Sequence, residues 1–297
     1  MPTIVNDGLS EPMYHAIVRW HGKYKRTGYL STTSCINPPR ARVLEARHDS
    51  QIIIMASSLM DPFIGSACHD AIDGAMLEAM HEEEFVTEVA GIKFSGRPDV
   101  IYHSDTGALE SGDFKFTRVD SYIFNGGKIK EEHERQAQIN AWLAGLNSFN
   151  IERAWVELVF VDWKRTEAQY DRLYPPRAVR LYPTLISAEE VSAYVTERVG
   201  LHLAADKLPD DELPKCSASE QWAKPDAWAV IKDGGSRAVN GGIKSTELEA
   251  KRLLREKGGG YEIQYRQGRK VRCEMFCNAK PFCNQYMEEL LAKKSAK

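Results

Sequence analysis

Asp99, Asp113 and Lys115 are the residues whose types and spacing best suit hydrolytic chemistry in this chain. Cutting a phosphodiester needs an activated water, neutralisation of charge in the transition state, and help for the leaving oxygen. Hard divalent cations supply most of this, and they prefer carboxylate and carbonyl oxygens. Two acids on adjacent strands can converge on one ion. Asp99 and Asp113 flank residues 100–112, which read as a hairpin around Ser104-Asp105-Thr106-Gly107. Lys115 lies two residues beyond Asp113, so both side chains leave the same face of a strand. A lysine there can orient the attacking water and stabilise negative charge. Phe114 points the other way, and its backbone carbonyl is a candidate metal ligand. A lone Asp-x-Lys strand is usually a solvated face, so the case rests on order and spacing over a longer stretch.

A second set of residues also carries chemistry. Cys273, Cys277 and Cys283 cluster near the C-terminus, in a chain of six cysteines with no signal-peptide pattern. In a reducing compartment such clustering favours metal over disulfides. From spacing alone Zn²⁺ and an iron–sulfur cluster are equally good readings. A fourth ligand is needed, and Cys35 and Cys216 are the two candidates. Cys68 falls on an apolar helical stripe beside His69 and reads as buried.

The elements that would position these residues are legible in outline. Residues 40–58 read as a helix with Asn37 as N-cap and proline in its first turn. A second helix starts at Asp61-Pro62, with Ile64, Ala67, Cys68, Ala71, Ile72 and Ala75 as its stripe. Residues 85–89, 92–102 and 108–115 read as three strands, and 130–146 as a helix carrying Gln138 and Trp142 one turn apart. Residues 154–162 read as a strand, and 187–204 as a helix with a Ser187/Glu190 capping box. Beyond Pro209 and Pro214 a smaller unit follows. Its strands lie at 227–232 and 261–265, a helix spans 246–256, and Gly234-Gly235 and Gly241-Gly242 form turns.

Four motifs occur in order between residues 65 and 142: Gly65-Ser66-Ala67-Cys68-His69, Gly96-Arg97-Pro98-Asp99, Asp113-Phe114-Lys115, and Gln138-Ile139-Asn140-Ala141-Trp142. Together they resemble the PD-(D/E)xK nuclease superfamily, in its RecB-like exonuclease branch, with Trp142 standing where that branch carries tyrosine. The resemblance implies an α/β fold: a restriction-endonuclease-like core, with a mixed central sheet flanked by helices, over residues 1–207. A small α+β iron–sulfur unit would follow over 208–297. It implies Mg²⁺ or Mn²⁺ on His69, Asp99 and Asp113, Lys115 as the catalytic lysine, and Gln138 holding Lys115 or the DNA. Glu88 is a further candidate ligand. The AddB-type and CRISPR-associated exonucleases of this branch end in three clustered cysteines that bind a [4Fe–4S] cluster with a distant fourth. Their first cysteine gap is one residue shorter than here. The segment around Cys216 resembles phage-encoded members, which favours Cys216 over Cys35.

The implied activity is DNA exonuclease action in repair, recombination or phage replication. An endonuclease on the same core and a catalytically silent DNA-binding subunit are the alternatives. No Gly-x-x-x-x-Gly-Lys-[Ser/Thr] phosphate loop is present, so unwinding would fall to a helicase or recombinase partner. Phosphate contacts are expected from Arg40, Arg42 and Arg47, from Arg97, Arg118, Lys128 and Lys130, and from Arg266, Arg269, Lys270 and Arg272. Tyr122 and Phe124 are candidates for base stacking. His48, His81, His103 and His133 fit no pattern.

The bulk numbers permit all of this. The 297 residues carry 43% hydrophobic and 27% charged positions, which excludes disordered and collagen-like classes. A formal net charge of −3 argues mildly against a nucleic-acid binder, although a local basic path suffices. No apolar run approaches the ~20 residues of a membrane helix, so a cytoplasmic protein is expected, and the resemblance implies a bacterial or phage-infected cell.

Overall fold

The computed structural model describes residues 1–23, 29–73, 79–81 and 83–295. The chain divides into two compact units, Met1–Val43 with Asp49–Leu208, and Leu44–His48 with Pro209–Lys297. The main boundary thus falls one residue after position 207, and a five-residue stretch of the N-terminal half joins the second unit. Both units are mixed α/β.

The first unit begins with β1 (Thr3–Val5), α1 (Glu11–His21), β2 (Leu30–Ser31), α2 (Thr32–Ile36) and α3 (Pro39–Arg47). Next come β3 (Ile53–Met55), α4 (Met60–Ile72), β4 (Met80–His81), β5 (Phe85–Val89), β6 (Ile92–Gly96) and β7 (Val100–His103). It continues through β8 (Leu109–Thr117), α5 (Val119–Phe124), α6 (Glu131–Leu146), β9 (Arg153–Phe160), α7 (Arg165–Tyr170), β10 (Ala178–Leu181) and α8 (Ala188–Asp206). A five-stranded sheet runs β10-β9-β8-β7-β4, and a three-stranded sheet runs β2-β6-β5. Only the β8–β9 pair is parallel within the larger sheet. That pair centres on Asp113 opposite Val156 and Lys115 opposite Leu158.

Helix α6 packs into two apolar cores of this unit. Its Ile139, Leu143 and Ala144 pack with Phe85, Phe94 and Ile101 and with the Val191, Val195 and Val199 stripe of α8. Its Ala137 joins Ala154, Val156, Leu158 and Phe160 of β9. Three glutamates in its first turn suit the positive end of the helix dipole. The Ser187/Glu190 capping box starts α8 as the sequence signals. Close approach fixes Gly112: a Cβ there would lie 2.1 Å from the Trp155 ring.

Several elements differ from the sequence reading. The helix expected over 40–58 ends at Arg47, and Ile53–Met55 becomes a strand paired in parallel with β1. A β-branched run with a distant strand partner wins over local helical spacing. Asn37 caps the C-terminal end of α2, and α3 starts at Pro39, where the missing N–H costs nothing. The strand expected over 92–102 breaks at Arg97-Pro98-Asp99, so β6 and β7 enter different sheets. Proline cannot donate to a ladder. Ala75, the end of the expected α4 stripe, lies outside the described residues.

The second unit contains β11 (Ala223–Lys224), β12 (Ala227–Lys232), β13 (Ala238–Lys244), α9 (Glu247–Lys257), β14 (Tyr261–Arg266), β15 (Arg269–Lys270) and α10 (Asn284–Ser295). Its main sheet is antiparallel, in the order β13-β12-β14. Gly241 and Gly242, expected as a turn, lie inside β13, where the register shifts as in a bulge. A Cβ on Gly242 would sit 2.8 Å from the Val230 carbonyl oxygen. The stretch carrying Arg47 and His48 is tied in by Asp210, which takes 2.7 Å and 2.6 Å contacts from them. The His48 ring also stacks on Phe282 at 4.2 Å.

Candidate functional site

Strand β8 delivers the centre of the site. Alternation along it sends Asp113 and Lys115 to one face, and Gly112, Phe114 and Phe116 to the other. The Lys115 Nζ lies 2.6 Å from Asp113 Oδ2. That oxygen is buried. The contact is a close ion pair that gives the buried oxygen a single charged partner. The other carboxylate oxygen accepts from Gln136 Nε2 at 3.0 Å. Phe114 packs its ring edgewise on Trp155 at 5.2 Å.

Asp99 sits in the break between β6 and β7 and closes the edge of β8. Its Oδ2 accepts from the Phe114 backbone N–H at 2.6 Å, just past the last β7–β8 pair, Val100 with Gly112. A carboxylate thus replaces a strand partner. Residues in a strand turn N–H and C=O to the same edge, so the Phe114 carbonyl faces the Asp99 side. His69, on α4, places Nδ1 3.5 Å from the same Asp99 oxygen and packs edgewise on Phe116 at 5.3 Å. Phe116 alternates with Lys115, so His69 reaches Asp99 from the other side of β8. Among the described residues, no group of three or more His, Cys, Asp or Glu side chains converges closely enough to hold a metal ion.

The remaining sequence candidates have other surroundings. Gln138 is buried, with Nε2 donating to the Thr184 carbonyl at 2.7 Å and Oε1 accepting from Arg135 at 3.1 Å. Trp142 packs into the α6 core, 6.4 Å from the Phe94 ring. Glu88 is exposed on β5, opposite Lys93. Arg40 is only 2% exposed, Arg42 pairs with Asp206, and Arg47 pairs with Asp210, so these three are not an open phosphate track. Tyr122 packs on Phe160, whereas Phe124 is 78% exposed.

Sequence reasoning missed two residues. Gln136, not Gln138, reaches the Asp113 carboxylate. Positions 136, 140 and 143 share one helical face and 138 and 142 another; only packing decides which of these turns to β8. Gln136→Ala is expected to lower any metal-dependent activity about 10- to 100-fold and, by removing a donor to the buried Asp113 carboxylate, to cost about 1–3 kcal/mol. Gln138→Ala, whose partners are the exposed Thr184 and the half-buried Arg135, should leave that activity largely intact and cost about 1 kcal/mol. Kinetics and thermal melts of the two variants separate these effects.

His133 is the second missed residue. Burial first, then the charges of Lys115 and Lys130, push its imidazole down to about 3, and its Nδ1 is buried without a hydrogen-bond partner. Burial likewise pushes His202 down to about 4. As pH falls through 6.5, the unfolded chain binds protons that the folded chain refuses until about 4 and 3. Stability therefore declines as pH drops across that window. Denaturant midpoints between pH 7 and 4 are expected to fall, and His133→Gln should flatten the decline.

Among the described residues of the second unit, Cys216, Cys273, Cys277 and Cys283 are free thiols that do not converge into a metal-holding group. The Cys216 thiol is pushed up to about 12, by burial first, then by the charges of Glu220, Cys283, Cys273 and Cys277. Cys277 is pushed up to about 11, burial again leading, and Cys273 is raised for the same reason. Gln285 clamps the Cys216 backbone, accepting from its N–H at 2.8 Å and donating to its carbonyl at 3.0 Å. Cys35 instead belongs to the core of the first unit, packed with Leu30, Phe94 and Val195. All six cysteines are free thiols.

No family model matches this chain, and no curated protein matches it. Among solved structures it is similar to the crystal structure of SSO0001, at a TM-score of 0.45 and 19% sequence identity, over 64% of this chain and 85% of that one. A likeness of that degree adds nothing to the reading of the site. Among the described residues, no helix is long and apolar enough to cross a membrane.

Proposed function

We propose that the chain is a divalent-metal-dependent DNA nuclease of the PD-(D/E)xK type, built on a restriction-endonuclease-like core and acting as an exonuclease. The observation that carries the reading is the pairing of Asp99 and Lys115 with the two sides of the Asp113-Phe114-Lys115 stretch of β8. Asp99 caps the Phe114 N–H, between Asp113 and Lys115 in sequence, and His69 reaches the same carboxylate. The donor set is two carboxylates, one backbone carbonyl and one imidazole, and the buried Asp113 oxygen has only the Lys115 ammonium beside it. Those features suit Mg²⁺ or Mn²⁺. Asp99, Asp113, the Phe114 carbonyl and His69 would hold the ion. When bound, it would supply Lewis acidity and a nucleophilic water near neutral pH.

The chain's own residues do the rest. Asp113 fixes the Lys115 ammonium, and Gln136 fixes Asp113. Lys115 can then hold the attacking water and stabilise charge on the phosphate oxygens. In the second unit Cys216, Cys273, Cys277 and Cys283 would hold a [4Fe–4S] cluster that ties the segment before β11 to the segment after β15. A helicase or recombinase partner would present the DNA end.

The test compares end-labelled linear single- and double-stranded DNA with closed circles, in Mg²⁺, Mn²⁺ or EDTA. Metal-dependent loss of linear DNA with circles spared supports an exonuclease. Cutting of circles makes it an endonuclease, and binding without any hydrolysis leaves a silent DNA-binding subunit.

A further inference from the structure

Charge is unevenly divided along the chain. Residues 227–272 carry 11 Lys and Arg against 5 Asp and Glu, while the remainder carries 28 against 37. A segment that is basic inside an acidic chain is the electrostatic footprint of a polyanion partner. Within it lies an open groove of about 620 Å³, lined by Ser236, Arg237, Asn240, Gly241, Gly242, Ile243 and Arg266, among others.

The chemistry of that groove is specific. Among the described residues, neither Arg237 nor Arg266 has a carboxylate partner. Arg266 is held by the Ser236 carbonyl at 2.8 Å and the Gln264 side chain at 3.2 Å, contacts that orient the guanidinium without neutralising it. Elsewhere Arg42, Arg47, Arg153, Arg180 and Arg269 are all in ion pairs. The β13 bulge puts two glycines in the lining. Gly241 has φ +66° and no heavy atom within 4 Å of where a Cβ would sit, so side-chain-free backbone lies open there. Ile243, 57% exposed, supplies an apolar surface, and Asn240 supplies an exposed amide. Cationic forks, bare backbone and one apolar contact are what a sequence-tolerant strand channel requires.

We infer that this groove binds single-stranded DNA through its phosphates, with Arg237 and Arg266 as the contacts. A concavity of this size takes in a single strand and not the body of a duplex. The inference does not draw on the catalytic reading, because it concerns binding by the second unit alone.

The test uses the full chain carrying Lys115→Ala, in EDTA, so that hydrolysis plays no part. Anisotropy of a fluorescein-labelled oligothymidine is titrated at several salt concentrations. Adding Arg237→Gln and Arg266→Gln should weaken binding about tenfold or more, and should lower the salt slope by about 1.4, two phosphate contacts at ~0.7 each. Lys251→Gln with Lys257→Gln, the same charge change on α9, should leave the slope nearly unchanged. Arg237→Gln alone, at an exposed side chain with no structural hydrogen bond, guards against a folding defect and should lower the slope by about 0.7. Equal losses in both pairs, an unchanged slope, no binding of the parent chain, or duplex bound with the same arginine dependence would each overturn the inference.

Discussion

Lys115→Ala is expected to lower metal-dependent DNA hydrolysis by about 10³-fold, the scale of removing one group that stabilises transition-state charge. The same change acts on the fold. Asp113 is 3% exposed, and its carboxylate keeps only the Gln136 amide once the ammonium is gone. Breaking such a pair strands a buried charge. Because the Lys115 side chain is 23% exposed, the cost should lie near the lower end of the range for buried pairs, about 3 kcal/mol. A divalent cation can replace the lost charge at Asp113. Mg²⁺ or Mn²⁺ should therefore raise the melting temperature of Lys115→Ala more than that of the parent chain. Hydrolysis assays and melts with and without cation read both effects. Full activity in Lys115→Ala would sink the catalytic reading, whereas lost activity with no differential cation effect would sink only the placement of the ion at Asp113.

The second large effect is expected in the cysteine cluster. Protein purified without oxygen should be brown and contain iron and acid-labile sulfide. Cys216→Ser should strip the iron and unfold the ends of the second unit, since a structural metal contributes on the order of several kcal/mol to folding. Hydrogen exchange should then lose its protection around residues 209–224 and 269–291. Cys35→Ser should keep the iron, because that thiol belongs to the core of the first unit. Burial holds Cys216 and Cys277 largely protonated near neutral pH, so loading must release protons and should become easier as pH rises. Zinc in place of iron would replace the cluster with a single-ion site. Iron lost from Cys35→Ser but kept in Cys216→Ser would reassign the fourth ligand.

The sequence by itself determined the local devices. Alternation put Asp113 and Lys115 on one strand face, the Ser187/Glu190 box started α8, and the spacing of Cys273, Cys277 and Cys283 grouped three thiols. Each depends on neighbours within a few residues, which is why periodicity and capping chemistry reveal it. Pairings across long separations were not legible in the same way. Ile53–Met55 became a strand only because Thr3–Val5 lies beside it, and residues 92–102 split because Pro98 sends the two halves into different sheets. Which face of α6 meets β8 was also a tertiary decision, and it handed the Asp113 contact to Gln136 while burying Gln138 against Thr184. His133 carried no motif at all, and its depressed imidazole exists only because folding buries it near Lys115 and Lys130. Cys216 is some sixty residues from the tail it joins, and no spacing rule selects it over Cys35. Packing places Cys35 in the apolar core of the first unit and Cys216 in the second unit with the tail cysteines, because a folded chain brings together groups that the linear order leaves apart.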